Sequence, residues 1–266
     1  MRSQQREEYL IRKAEEMGFV SISDAANRLD VSIETVRRDI NKLSREGHLR
    51  KVRGGAEPAR RFLRQDAPYF MRVQRNVEEK TSIGQVAARM IRNGSVVALD
   101  AGSSIQSLVE SITDVQNVTF VTHSLPLATL IAEKLSRKEI TGRLIIIGGE
   151  YDVQARYVRG ALATESLSDY HFDMAFLSCT ALTAEGVSFY NVDACSFAST
   201  MRSHATQSIL LAESDKLGKS SVRKYADVTD FDCIVLDDRH PLPADLARKL
   251  EGSQTEVILV PCPKDE

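Results

Sequence analysis

The chain has 266 residues, of which 42% are hydrophobic and 27% are charged, and its formal net charge is −2. These values are typical of a folded globular protein with a sizeable core, and they argue against wholesale disorder and against a uniformly basic nucleic-acid binder. The length fits one large domain or two unequal ones, and we expect two. No run approaches the roughly 18 apolar residues of a membrane span. The N-terminus lacks the apolar segment of a signal peptide, so we expect a cytoplasmic protein.

The charge is unevenly distributed along the chain. Residues 28–64 contain 11 Lys and Arg residues against 5 Asp and Glu residues, a net charge of +6, so the remainder carries −8. A basic segment on an acidic body predicts that one part of the protein meets a polyanion while the other part has a different task.

The four cysteines give no sign of a metal site. Cys179, Cys195, Cys233 and Cys262 are far apart and form no C-x-x-C pair. This spacing favours reduced, structural thiols over a disulfide framework or a zinc site. We therefore expect neither a metal nor a cofactor.

The first 47 residues show apolar residues at helical spacing, interrupted by short turns. A first helix should stop at Gly18, and Ser23 is the expected N-cap of a short second helix. Ser32 is the N-cap candidate of a third helix, which Gly47 should end. The core face of this third helix is expected to consist of Val36, Ile40 and Leu43.

A basic hairpin is predicted directly after the third helix. Residues 48–58, HLRKVRGGAEP, are too rich in β-formers and Gly to be helical. Three short helices followed by such a hairpin predict a winged helix-turn-helix domain over residues 1–57. Residues 58–76 hold two prolines and five arginines and suit a linker or joining helix. The expected fold class is α/β overall, with this domain preceding a mostly parallel α/β domain over residues 77–266.

The third helix places two adjacent arginines, Arg37 and Arg38, beside its core face. In a helix-turn-helix the second helix of the motif enters the major groove, where arginine reads guanine or grips phosphate. The alternative is that both arginines lie on a solvated face and pair with neighbouring carboxylates. The cap, the glycine stops and the basic wing favour the DNA-binding interpretation.

The run VSISDAANRLDVSIETVRRDINKLSREGHLRKVRGGA resembles the DeoR-type helix-turn-helix of bacterial sugar-metabolism repressors. One departure is Arg53, where the family usually has His before the Gly-Gly of the wing. A basic replacement should preserve phosphate contact. The resemblance implies DNA recognition by Ser32, Thr35, Arg37 and Arg38. With their basic and polar neighbours, the candidate DNA-binding residues are Ser32, Glu34, Thr35, Arg37, Arg38, Lys42, Lys51 and Arg53.

From residue 78 onward, helical stretches alternate with short apolar strands. The runs SVVALD, VTFVTH, RLIIIGG, MAFLS, SILLAE, CIVLDD and EVILVP predict seven strands, and CSFASTMRSHATQ predicts a helix. Strands that are apolar without alternation indicate a parallel sheet covered on both faces. The predicted helices are KTSIGQVAARMIRNG, IQSLVESI, PLATLIAEKL and PADLARKLE.

Polar or Gly-rich residues follow three of these strands. The turn LDAGSS, residues 99–104, precedes a helix and could hold a phosphate or carboxylate at that helix N-terminus, or it could be only a turn. Thr122 and His123 end the next strand, and Gly148 and Gly149 follow another. Since ligands of open parallel sheets bind beyond the carboxyl ends of the strands, these residues could line one site.

The resemblance to the DeoR family extends over residues 70–240. EEKTSIGQVAARMIRNGSVVALDAGSS looks like the start of the DeoR C-terminal sensor domain, and ESDKLGKSS looks like its late Asp-x-x-Lys segment. That domain is similar in fold to ribose-5-phosphate isomerase, and members usually bind phosphorylated sugars. The implied effector-binding residues are Asp100, Gly102, Ser103, Ser104, Thr122, His123, Gly148, Gly149 and Lys216.

Two departures from this pattern concern the effector. FLSCTA, residues 176–181, lacks the two glycines that members tend to have, and Ala198 replaces a common lysine. These departures argue against an ordinary sugar phosphate and for a pocket reshaped for another sugar derivative, and the identity of the effector stays open. Arg156 and Arg159 are candidates to supply the missing charge, or they are surface arginines.

Two classes of function remain open from the sequence. The first is a repressor whose sensor domain changes DNA binding on meeting a sugar-derived anion, acting as a homodimer or homotetramer on a double-stranded operator. The second is a sugar-phosphate isomerase-like enzyme with a DNA-binding appendage, for which Asp100, Glu150, Asp173 and Glu213 lie near strand ends. Because they form no recognisable acid/base constellation, we expect a regulator and no enzyme.

Overall fold

The chain forms two compact units, Met1–Arg75 and Asn76–Glu266. The computed structural model describes residues 3–46, 48–58, 62–63 and 67–262. Gly47, the predicted end of the third helix, lies outside the described residues. The predicted linker 58–76 is described only in part and stays a prediction.

The first unit contains helices packed on a small sheet. In the sheet, strand β3 pairs antiparallel with both β1 and β2, so the predicted wing is confirmed as the β2–β3 hairpin. The elements are α1 (Ser3–Met17), β1 (Val20–Ser21), α2 (Ile22–Leu29), α3 (Ile33–Arg45), β2 (Leu49–Val52), β3 (Gly55–Pro58), β4 (Phe62–Leu63) and α4 (Tyr69–Val73).

The core of this unit lies between the helices and the wing. Val36, Ile40 and Leu43 are buried together, as the spacing along α3 predicts. Leu10 of α1 and Leu49 of β2 belong to the same apolar cluster. Helix α3 is therefore held by one face, and its opposite face is left to solvent.

The helix caps agree with the sequence in one case and differ in another. Ser32 caps α3 by accepting a hydrogen bond from the Thr35 N–H at 3.2 Å. The N-cap of α2 is Ser21, which accepts from Asp24 N–H at 3.3 Å, so the prediction of Ser23 was wrong. The reason is that β1 pairs with the wing up to Ser21, which leaves Ser21 as the last extended residue before the helix.

The second unit contains a seven-stranded sheet within the described residues. Its strand order is β17-β16-β13-β10-β5-β6-β7, and every neighbouring pair is parallel. All seven predicted strands are present. They are β5 (Val96–Leu99), β6 (Val118–Thr122), β7 (Gly142–Ile146), β10 (Phe172–Leu177), β13 (Ala205–Ala212), β16 (Cys233–Asp237) and β17 (Glu256–Val260).

Helices cover both faces of this sheet, and each face has its own apolar core. Leu99 and Phe176 point into one core, whereas Ala98 and Leu177 point into the other. This arrangement explains why the strands are apolar without alternation and confirms the expected α/β class. The helices are α5 (Val77–Ala88), α6 (Ser103–Ser111), α7 (Leu125–Ser136), α8 (Ala161–Leu167), α9 (Val192–Ser203) and α10 (Ala244–Glu251).

The structure differs from the sequence prediction at the end of α9. The predicted helix ran to Gln207, but α9 ends at Ser203 and Ala205 already pairs with Phe172 in the sheet. Tertiary strand pairing overrides local propensity there. Short additional strands, which the sequence did not predict, are β8 (Glu150–Asp152), β9 (Tyr157–Arg159), β11 (Ala181–Thr183), β12 (Gly186–Phe189), β14 (Ser220–Ser221) and β15 (Arg223–Ala226).

Across the described ranges, no helix combines the length and hydropathy that crossing a bilayer requires.

The two glycines of the wing should respond differently to alanine. Gly54 has φ +77° and open space around it, so Gly54→Ala should cost about 1 kcal/mol of backbone strain. A Cβ on Gly55 would lie 2.1 Å from the Val20 carbonyl oxygen, so Gly55→Ala should cost about 3 kcal/mol by separating β1 from β3. Native-state hydrogen exchange of the Ala56 amide measures both losses. Equal losses in the two variants would contradict this reading of the wing.

Candidate nucleic-acid interface and effector site

The outward face of α3 presents the predicted DNA-reading residues. Ser32, Glu34, Arg37 and Arg38 are exposed, and Thr35 is half-buried. The Ser32 and Thr35 hydroxyls lie 2.8 Å apart at the start of the helix. Arg37 lies 3.7 Å from Glu34, but their side chains are 57% and 73% exposed, so this ion pair holds Arg37 only weakly. Both guanidinium groups can therefore reach a ligand outside the protein.

Two ion pairs fix α3 against α1. Arg6 donates to both carboxylate oxygens of the buried Asp39, at 2.8 and 3.2 Å. Lys42 donates to both carboxylate oxygens of Glu7 at 2.9 Å. The ammonium group of Lys42, a predicted DNA contact, is thus paired with a residue of α1. The sequence analysis did not identify Arg6 and Asp39, which form the other ion pair between the two helices.

The wing carries basic side chains on an anchored hairpin. Lys51 and Arg53 are exposed. Arg50 pairs with the buried Glu57 at 2.5 Å, and Arg75 pairs with the same carboxylate. These contacts hold the two wing strands together beside α3, so the wing is a defined surface.

In the second unit, the Asp100 carboxylate lies at the carboxyl end of β5 and joins adjacent strand ends. Its Oδ2 accepts from the Ser178 backbone N–H at 3.0 Å and from the Ser178 hydroxyl at 2.7 Å. Ser178 follows β10 and occupies the position of the first of the two glycines that FLSCTA lacks. The other oxygen, Oδ1, lies 3.4 Å from His123 Nε2.

His123 is buried in a defined setting at the end of β6. Its Nδ1 lies 2.8 Å from the Val158 carbonyl oxygen, and its ring stacks on Phe197 with centroids 3.8 Å apart. Thr122, the preceding residue, donates to the Leu99 carbonyl oxygen at 2.9 Å. The structure therefore brings Asp100, Thr122 and His123 together, as the strand-end pattern predicts.

The turn before α6 adjoins a buried charge cluster. Gly102 precedes the helix, and Ser103 and Ser104 form its first turn. Ser104 donates to Glu213 Oε1 at 3.2 Å. Lys216 Nζ lies 2.7 Å from Glu213 Oε2, and Lys80 Nζ lies 3.3 Å from Oε1. Lys216, a predicted effector contact, thus meets the α6 turn through Glu213.

Burial and charge act in opposite directions on this cluster. Burial raises the pKa of Glu213, but Lys216 and Lys80 more than offset that effect and hold it well below its ordinary value. Burial lowers the pKa of Lys80, against the attraction of Glu213. The Glu213 carboxylate is consequently ionised at neutral pH. The sequence showed Glu213 only as a strand-end acid and gave no signal for Lys80.

The remaining candidate residues are the two glycines that follow β7 and Arg159 of β9. A Cβ on Gly149, which has φ +151°, would meet the Val158 side chain at 2.9 Å, so Gly149 adjoins the strand that contacts His123. Gly148 is exposed with open space around it. Arg159 faces Glu150, Asp152 and Asp193 within 3.9 Å. Its charge is therefore matched by carboxylates on the β8–β9 hairpin and α9.

The two departures from the family pattern have structural explanations. Ala198 is completely buried in the core, where a lysine would be desolvated. Residues 178–181 adopt no positive φ angle, so this loop does not require glycine. The Tyr225 hydroxyl donates to the Ser178 carbonyl oxygen at 2.8 Å and fixes the loop.

The four acids considered for an enzyme are not assembled into one site. Asp173 accepts from Val96 N–H at 2.7 Å at the amino ends of the strands, on the opposite edge from Asp100. Glu150 is exposed on β8 and pairs with Arg159 at 3.2 Å. Of these four acids, Asp100 and Glu213 directly follow strands of the parallel sheet at its carboxyl edge. In the part of the chain that the structure describes, no group of three or more His, Cys, Asp or Glu side chains is arranged to hold a metal ion.

Comparison with known families covers both units. Residues 6–61 match the DeoR-like helix-turn-helix domain, and residues 75–238 match the DeoR C terminal sensor domain. The chain belongs to the DeoR family of transcriptional regulators. The resemblance seen in the sequence is thereby confirmed, and this DeoR-family regulator is a DNA-binding transcription factor with a sensor domain.

Related proteins match this DeoR-family chain over nearly its whole length. It is 32% identical to the HTH-type transcriptional regulator IolR of Bacillus subtilis, over 90% of this chain and 93% of that protein. It is 28% identical to the HTH-type transcriptional repressor CsqR of Escherichia coli, over 96% and 94%. Both relatives are named as transcriptional regulators, in agreement with the family to which the chain belongs.

Among solved structures, similarity is lower. Ribose 5-phosphate isomerase A of Methanocaldococcus jannaschii aligns with a TM-score of 0.33 and 14% identity, over 52% of this chain and 53% of that one. The sorbitol operon regulator SorC of Klebsiella pneumoniae aligns with a TM-score of 0.36 and 11% identity, over 99% and 97%.

The Ser178 hydroxyl should contribute measurably to the sensor domain. Ser178→Ala removes a hydrogen bond to the buried Asp100 carboxylate, and we expect the free energy of unfolding to fall by about 1.5–3 kcal/mol. Ser196→Ala, which removes only a hydrogen bond to a carbonyl oxygen of its own helix, is the matched control and should change it by about 0.5 kcal/mol or less. Urea unfolding followed by circular dichroism compares them. If Ser178→Ala behaves like the control, the Asp100–Ser178 contact does not stabilise the site.

Proposed function

We propose that this regulator represses a carbohydrate-utilisation operon and that a phosphorylated sugar, or a related sugar-derived anion, relieves the repression by binding at the carboxyl edge of the parallel sheet. The observation that supports the DNA-binding half is the exposed Arg37–Arg38 pair on a capped and anchored helix. The chain acts as a homodimer or homotetramer on double-stranded DNA, since helix-turn-helix proteins meet symmetric half-sites.

On DNA, the proposed contacts divide by chemistry. Arg37 and Arg38 read base edges or clamp phosphate, and the hydroxyls of Ser32 and Thr35 bond to phosphate or to bases. Glu34 lies on the same exposed turn and accepts from a cytosine amino group. Lys51 and Arg53 of the wing contact phosphates. Lys42 adds positive charge to this surface. Because it donates to both carboxylate oxygens of Glu7, we expect it to contribute less to DNA binding than the other basic residues.

The arginine pair can be tested without knowing the natural operator. Arg38→Ala should weaken binding to a DNA fragment selected from a random pool by the wild-type protein, by about 1–3 kcal/mol if the lost contact reads a guanine. Arg37→Ala should behave similarly. Arg137→Ala, an exposed arginine of the sensor domain, is the matched control. Gel-shift titration at fixed salt measures the affinities, and wild-type affinity in both variants would remove α3 from the DNA interface.

At the sensor site, the proposed anion meets the first turn of α6. Ser103 supplies N–H and hydroxyl donors there, Ser104 supplies its N–H because its hydroxyl donates to Glu213, and Lys216 supplies a cation. Asp100, Thr122 and His123 form the floor next to them, with the backbone of Gly102, Gly148 and Gly149 around it. Sugar hydroxyls bond to the Asp100 carboxylate.

Thermal-shift titration tests whether the sensor domain binds phosphorylated sugars and whether Lys216 contributes to that binding. Ribose 5-phosphate, glucose 6-phosphate or inorganic phosphate should raise the melting temperature of the full chain, because a ligand that binds only the folded state stabilises it. Lys216→Gln should reduce this shift by removing the cation, whereas Lys134→Gln on α7 should not. An equal shift in both variants would exclude Lys216 from the anion site.

A further inference from the structure

Three sets of contacts hold helix α5 against helix α6 and against the turn that carries Lys216. The first is the ion-pair chain in which Glu213 touches Ser104 and Lys216 on one side and Lys80 of α5 on the other. The exposed fractions of the Lys80, Glu213 and Lys216 side chains are 4%, 3% and 19%. Lys216 is thus the member of the cluster that an arriving anion can engage, while Lys80 and Glu213 are sealed from solvent.

A second route reaches the same turn of α5. Asp237, at the end of β16, accepts from Ser214 N–H at 2.6 Å and from the Ser214 hydroxyl at 2.5 Å, and so fixes the turn that carries Lys216. Two residues later, Arg239 pairs with Glu79 of α5 at 2.7 Å. The first turn of α5 is therefore tied twice to the strand ends that hold the Lys216 turn.

Close packing of the two helices is the third contact. A Cβ on Gly84 of α5 would lie 2.5 Å from the Ser107 carbonyl oxygen of α6, so the backbones are in direct contact there. A helix in such contact cannot shift its first turn without disturbing its neighbour. Helix α5 also begins at Val77, two residues after the end of the DNA-binding unit at Arg75.

We infer that the buried Lys80–Glu213–Lys216 cluster couples anion binding at the α6 turn to the first turn of α5, with Lys80 and Glu213 as positioning residues. This inference rests on the proposed function, since it assigns the regulation of the same site. An anion that draws on Lys216 weakens its hold on Glu213. Because charges interact strongly when they are desolvated, the Glu213–Lys80 pair must then readjust, and α5 readjusts with it.

Thermodynamically, the coupling is a difference in anion affinity between two positions of the α5 turn. Helix α5 is covalently connected to the DNA-binding unit. A change at the sensor site that moves the first turn of α5 is therefore transmitted to that unit through the chain. Lys80 and Glu213 touch neither the DNA nor, in this proposal, the anion.

The test uses the full chain, inorganic phosphate as the probe, and chloride at equal ionic strength as the reference. Phosphate binding is measured by thermal shift, and hydrogen exchange is measured at the amides of residues 80–84. In the wild type, saturating phosphate should change exchange in this turn by about fivefold or more, the lower end of common couplings. Lys80→Met should keep the thermal shift and lose the exchange response, because Glu213 retains Lys216 and Ser104.

Two further variants make the test decisive. Glu213→Gln keeps an acceptor for Ser104 but removes the charge that links the lysines, and it should lose the exchange response like Lys80→Met. Lys134→Met on α7 is the matched control and should keep both signals. A Lys80 or Glu213 residue with a purely structural role would alter basal exchange while the phosphate response persisted.

The outcomes separate the two proposals. Absence of a phosphate-induced shift in the wild type overturns the anion site and this coupling with it. Binding with unchanged exchange in the α5 turn overturns the coupling alone. A response that persists in both Lys80→Met and Glu213→Gln also overturns it.

Discussion

The burial of Asp and Glu side chains constrains both units of this regulator. A carboxylate removed from water is tolerated only where donors and cations surround it, and those partners must hold fixed positions. Asp39, Asp100 and Glu213 are buried in this way. Each one gathers groups that are distant in sequence, so the loops and helices that supply the partners are positioned by the need to satisfy the charge.

In the DNA-binding unit, this constraint sets the angle of α3. Its apolar face alone would allow small rotations, because Val36, Ile40 and Leu43 make non-directional contacts. The bidentate Arg6–Asp39 pair is directional and removes that freedom. Arg38 directly precedes Asp39 in the chain, so fixing the rotation of α3 at Asp39 also fixes the side of the helix on which Arg38 leaves the backbone.

The sequence predicted the features that depend on local pattern. The seven parallel strands were found because each is a short continuous apolar run, and Ser32 was found because a cap is recognised by its neighbours on the same helix. Ser23 was chosen wrongly because the true cap, Ser21, is selected by strand pairing with residues of the wing. The contact of Lys80 with Glu213 could not be foreseen, since 133 positions of the sequence separate them and only the fold brings them together. The candidate residues at the strand ends were predicted from the parallel topology. That topology places them at one edge of the sheet but does not determine which contacts their side chains make there.

The FLSCTA departure is best understood from its contact with Asp100. The loss of two glycines predicted a pocket reshaped for another sugar derivative, but the loop adopts no conformation that needs glycine. Instead, Ser178 uses both its N–H and its hydroxyl on one oxygen of Asp100, while the other oxygen faces His123. A side chain has thus been added where the family pattern has none, and it orients the carboxylate at the floor of the site. An oriented acceptor discriminates among hydroxyl configurations of a sugar, whereas the α6 turn discriminates only by charge. Under the proposed function, the departure therefore bears on which sugar skeleton is selected and leaves the proposed contribution of the α6 turn to anion binding unchanged.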